Sequence, residues 1–141
     1  MNTKTIVAGL LAGLTTFLLG WLIYGILLSV TFAELSGSAT GVSKSDTEMM
    51  AGASMVYLII GQFTLGMFLA FVFSKWASIA TLSGGAKGGA TIGLFTAIGW
   101  DFTMLGTSNV STLQGALLDV VFTIVVTAVA GAVAGWWLGR K

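Results

Sequence analysis

The sequence predicts an all-α integral membrane protein, a four-helix bundle with both termini cytoplasmic. Three observations carry that expectation. The 141 residues are 56% hydrophobic and only 8% charged, with a mean hydropathy of +0.99, far from the balance of a soluble domain. No charged side chain stands between Lys4 and Glu34 or between Glu48 and Lys75, and each gap exceeds the roughly 20 apolar residues that cross hydrocarbon. Lys4, Lys75, Lys87, Arg140 and Lys141 fall on one side of a four-span arrangement against Lys44 alone, the side that the positive-inside rule assigns to the cytoplasm.

In chain order, the first span is expected over 5–31. It begins beside a lysine, but its apolar run is too long for a secretory signal core of roughly 7 to 15 residues, so it reads as a retained helix. Segment 32–44 is rich in Ser, Gly and Thr and reads as a flexible external loop. "SDTE" at 45–48 is a capping box, with Ser45 and Glu48 exchanging bonds with each other's amides and Asp46 and Glu48 complementing the helix dipole. The second span follows over 50–74 and the third over 85–106. "STLQ" at 111–114 repeats the box at the start of a fourth span, 112–138. Trp76 and the Trp136–Trp137 pair lie beside the basic residues, as headgroup-level anchors do. The whole chain, 1–141, is one membrane domain, and no proline announces a broken helix.

Composition also excludes functions. With no cysteine and no histidine, disulfides, thiolate chemistry, haem ligation and ordinary zinc sites are out, and no metal or cofactor is expected. A net charge of +1 without a basic patch gives no grip on nucleic acid. No catalytic motif is present. An intramembrane aspartyl hydrolase needs two acids, water and room for a substrate helix, and beyond the acids the chain supplies nothing toward it, so an enzyme is not expected.

The residues that invite a function are Asp101 and Asp119, one inside each of the last two spans. Gly85, Gly89, Gly93, Ala97 and Asp101 form a ridge at steps of four, as do Asp119, Thr123, Thr127, Gly131, Gly135 and Gly139. Small residues along such ridges let helices approach closely. Antiparallel packing of the two ridges puts the glycines near the cytoplasm and both aspartates toward the outside, about 7.5 and 12 Å from the outer ends of their spans at 1.5 Å per residue. There the acids either hydrogen-bond neighbouring helices or share a proton or small cation. Trp21, Tyr24, Tyr57 and Trp100 share this depth and form a candidate outward-facing pocket, suited to an organic cation, against the alternative of interfacial anchoring. Gln62, Gly66, Ala70 and Ser74 form another small or polar row, read as interhelical glue.

At "GWLIYGILLSVTF" and "ALLDVVFTIVVTAVAGAVAGWWLG" the chain resembles a family of small bacterial four-helix membrane proteins known as domain of unknown function 1761. The likeness rests on Gly20, Trp21 and Tyr24 in the first span and on Asp119 with the small residues after it. Family members often carry a proline shortly after the Tyr and a further Trp in the following loop, where Gly25–Ile26 and Phe32 stand here. What the resemblance implies is a bacterial integral membrane protein, expected in the inner membrane, and no activity comes with it. Two functions follow from the residues, association first and a carrier as the alternative. The glycine ridges, with Gly9 and Gly13, suit association as a homo-oligomer or as an accessory subunit of a larger membrane assembly. The acid pair suits a small proton- or cation-coupled carrier.

Overall fold

A computed structural model describes residues 2–41, 44–50 and 52–141, without the side chain of Asp46. Among these residues the protein is helical and has no strand, only one isolated antiparallel bridge between Ser36 and Ser111. Helix α1 spans Thr3–Gly20 and runs into a π-helical stretch, Trp21–Leu27; then come α2 (Ser29–Glu34), α3 (Asp46–Met50), α4 (Gly52–Lys75), α5 (Leu82–Thr107) and α6 (Leu113–Gly139). Three stretches are long and apolar enough to cross a membrane: Thr3–Leu27, Gly52–Lys75 and Leu113–Gly139. Helix α5 matches them in length, with 26 residues, but its glycines, Lys87 and Asp101 dilute its apolar character.

Capping side chains mark where helices start. Asn2 accepts from the Thr5 amide at 2.9 Å, Thr81 from the Gly84 amide at 3.1 Å and Thr112 from the Gly115 amide at 3.2 Å. At α3, the Glu48 carboxylate accepts from the Ser45 amide at 2.9 Å and its hydroxyl at 2.8 Å, while Ser45 accepts from the Glu48 amide at 3.4 Å. These bonds from Ser45 hold the Glu48 carboxyl below its ordinary value. Asp46, the other expected cap, has its side chain outside the described residues. The box expected at Ser111–Gln114 does not form. The cap is one residue later, because the Thr112 amide and hydroxyl also bond the Leu35 carbonyl, at 3.1 and 2.8 Å, while Ser111 is held in the bridge to Ser36.

Two further expectations need correction. The first span is not one regular helix to residue 31. From Trp21 the backbone widens to π geometry, the Leu28 amide reaches back five residues to the Ile23 carbonyl at 2.8 Å, and the helix restarts at Ser29. Loop 32–44 is tied down over its first half: the Gly37 and Ala39 amides bond the Val110 and Asn109 carbonyls, both at 3.0 Å. Gly37 is needed there, since a Cβ would strike the Asn109 carbonyl.

The core is small-residue packing. Ala8, Ala12, Leu69, Ala70, Phe73, Ala130 and Ala134 are fully buried where α1 meets α4 and α6. Gly9 and Gly13 receive Met67 and Phe63 of α4, and Gly66 lies against the α1 backbone. Buried hydroxyls are satisfied on backbone: Thr16 donates to the Gly13 and Gln62 carbonyls, at 2.9 and 3.3 Å, and Thr127 to the Thr123 carbonyl at 2.7 Å. Of the expected glue row, Gly66 and Ala70 face this interface, and Gln62 contributes its carbonyl. Helix α5 packs almost wholly on α6 and barely touches α4. The chain ends meet: the Lys4 ammonium donates to the Arg140 carbonyl.

Candidate functional site

The site follows from how α5 and α6 close. A Cβ at Gly85 would collide with the Gly131 backbone, at Gly89 with the Thr127 carbonyl and at Gly93 with the Thr127 side chain, while Gly131 and Gly135 meet Gly89 and Gly85 in return. Each step of four up α5 is matched by a step of four back down α6, the antiparallel register of two small-residue ridges. Two steps beyond Gly93, through the buried Ala97, this register sets Asp101 opposite Asp119. The two carboxyls open into the same cleft.

Both acids line an open cleft of about 290 Å³ together with Phe32, Trp100, Met104 and Ser111. One oxygen, Asp101 Oδ2, is buried without a hydrogen-bond partner among the described residues. On the other acid, Asp119 Oδ2 accepts from the Thr123 hydroxyl at 3.3 Å, and Thr123 Oγ1 is 3.3 Å from the Tyr24 hydroxyl. Thr123 has one proton, given to Asp119, so Tyr24 is the donor to Thr123 and the chain of bonds points toward the acid. Tyr24 sits in the π-helical stretch, and its ring lies 5.1 Å from that of Phe32 across the break at Leu28. The widened backbone thus brings a phenol from α1 to the acid on α6. No lysine or arginine lines the cleft.

The expected aromatic pocket is only partly assembled. Tyr24 is linked to Asp119 through Thr123, and Trp100 lines the cleft, although Trp100 is 69% exposed. Trp21 and Tyr57 line no part of it and stand 59% and 69% exposed. Trp21 starts the π-helical stretch and is not drawn into the cleft, and Tyr57 lies on α4, which contributes nothing to it. The helix-packing glycines Gly85, Gly89, Gly93, Gly131 and Gly135 all lie in the α5–α6 seam, and Gly139 meets Ala80 before α5. Sequence reasoning missed Thr123 as a ligand of Asp119, although its spacing of four residues was a signal, and missed Phe32, Met104 and Ser111, which had none.

Two adjacent carboxyls in an apolar setting, one with an unpartnered oxygen, are arranged to hold a positive charge between them, as a shared proton or as a small cation. Comparison with protein-family models, curated proteins and solved structures returned no match. The chemistry must be read from the cleft itself.

Proposed function

We propose that this chain is a small, non-enzymatic, four-span protein of the bacterial inner membrane that binds and passes a proton or small cation at Asp101 and Asp119. The observation that carries the reading is the gathering of the two carboxyls in one cleft, one of them with a buried oxygen that has no partner among the described residues. Helix α5 is taken as the fourth crossing, because 26 residues rise about 39 Å and because an even number of crossings suits chain ends that touch. Both termini are then cytoplasmic, where the basic residues gather. The likeness to the bacterial family of unknown function belongs to the same proposal, and two of the residues that carry it, Tyr24 and Asp119, are linked through Thr123. In proteoliposomes holding a pH-sensitive dye, the wild-type protein is expected to dissipate an imposed pH gradient faster than empty vesicles. Asp119→Asn is expected to lower that rate at least tenfold with the helical spectrum unchanged. Wild-type flux equal to that of empty vesicles would remove the proposal.

A second reading, association with a partner in the membrane, keeps support from one feature. Helix α5 packs almost wholly on α6, so Phe95 and Ile98 are left exposed and Gly99 and Gly106 face open space. The glycine ridges themselves no longer argue for a partner, since the chain's own helices fill them. The native mass after gentle extraction decides: a homo-oligomer or a stoichiometric foreign subunit supports association, and a monomer counts against it.

A further inference from the structure

At the end of the molecule opposite the acid cleft, the start of α1 and the end of α6 enclose a second cleft, about 420 Å³, lined by Thr3, Lys4, Val7, Trp137, Arg140 and Lys141. Its chemistry is the reverse of the first. Three cations from the two ends of the sequence are gathered around one opening, and no acid lines it. The chain's five acids, Glu34, Asp46, Glu48, Asp101 and Asp119, all lie in or toward the other end. Asp119, on α6 itself, is 21 residues from Arg140, about 31 Å along the axis, far outside contact range. Lys4 already contacts the Arg140 carbonyl at the end of α6, but among the described residues no acidic side chain lines the cleft, and the group that complements three like charges is an anion.

The cations are also shaped for one. The Arg140 guanidinium carbon lies 4.8 Å from the Trp136 ring centroid and 5.0 Å from that of Trp137. The two indole rings hold the guanidinium beside the cleft, and its planar fork of N–H donors is the group that matches phosphate oxygens. Lys4 gives one proton to the Arg140 carbonyl and keeps two donors. One turn further in on each helix, Val7 and Trp137 supply an apolar wall, so the cleft passes from cationic to apolar where a lipid passes from headgroup to acyl chain. We propose that this cleft binds the phosphate of an anionic phospholipid headgroup, with Lys4, Arg140 and Lys141 on the phosphate and Val7 and Trp137 against the start of the acyl chains. The volume suits a ligand of that size. The site rests on the chain lying in a membrane and is independent of what the acid cleft does.

The test is native mass spectrometry of the delipidated full chain in detergent, titrated separately with phosphatidylglycerol, phosphatidylcholine and inorganic phosphate. The wild type is expected to prefer phosphatidylglycerol over phosphatidylcholine about tenfold or more and to hold no inorganic phosphate at millimolar concentration. Removing two cations with the Lys4→Gln/Arg140→Gln double variant is expected to weaken phosphatidylglycerol binding about 25-fold, at roughly fivefold for each basic residue. A Lys75→Gln/Lys87→Gln double variant removes the same charge from the same end of the molecule, outside the cleft, and is expected to keep the preference. Equal losses in the two double variants would reduce the effect to diffuse charge and overturn the site. Retention of inorganic phosphate without a lipid preference would assign the cleft to a soluble anion and overturn the lipid.

Discussion

At the scale of single residues, two glycines on one helix make opposite predictions. A methyl group at Gly89 meets the Thr127 carbonyl and the Gly131 backbone, neither of which yields without parting α5 from α6, whereas a methyl group at Gly99 meets nothing. Gly89→Ala is therefore expected to destabilise by about 1–3 kcal/mol, the range for overpacking, even though alanine is the better helix former by about 1 kcal/mol. Gly99→Ala is expected to be neutral or slightly stabilising. Detergent-solubilised protein, unfolded in a denaturing surfactant and followed by tryptophan fluorescence, measures both; similar midpoints for the two variants would contradict the tight seam. The same steric logic makes the acid pair intelligible, since Asp101 and Asp119 meet only because every earlier contact in the seam is small. That much was legible in the spacing of four along each span. The bond from Tyr24 to Thr123 was not legible, because spacing within α6 says nothing of which side chain of the π-helical stretch meets Thr123.

At the scale of elements, the start of α6 depends on one side chain that serves two partners. Thr112 caps the Gly115 amide and also ties its hydroxyl to the Leu35 carbonyl, so it fixes both the helix start and the loop that follows α2. Thr112→Ala is expected to cost about 1–2 kcal/mol, the upper part of the range for a lost cap, and Ser111→Ala less than about 0.5 kcal/mol. The same unfolding measurement separates them, and a larger loss at Ser111 would restore the capping box that the sequence suggested there. The rule of a Ser or Thr followed three residues on by Glu or Gln succeeded at Ser45 and failed at Ser111 for a tertiary reason: loop 32–44 competes for the backbone around Ser111. The π-helical stretch escaped for a different reason. Proline is the usual sequence sign of a disturbed helix, and here the widening occurs without one, at a run whose composition suits a regular span.

At the scale of the whole molecule, hydropathy and geometry give different weights to α5. Composition singles out three crossing segments and leaves α5 aside. Yet α5 is as long as its neighbours, lies antiparallel along the full glycine seam of α6, and belongs to a chain whose Lys4 and Arg140 touch. Three crossings put the two chain ends on opposite faces of a membrane, and four bring them together. Helix α5 is also equipped for lipid: the exposed hydroxyls of Thr91, Thr96, Thr103 and Thr107 each donate to a carbonyl one turn back, at 2.6 to 2.9 Å, which removes their need for water. Because the chain has no cysteine, single cysteines report sidedness directly. Ser38→Cys and Asn109→Cys are expected to react with a membrane-impermeant maleimide on intact spheroplasts, and Ala77→Cys and Lys141→Cys only after the membrane is opened. Labelling of Ala77→Cys and Asn109→Cys from the same side would leave α5 uncrossed. Asp119 would then stay inside the crossing helix α6 without Asp101 beside it at the same depth, and the reason for a proton or cation between the two is gone.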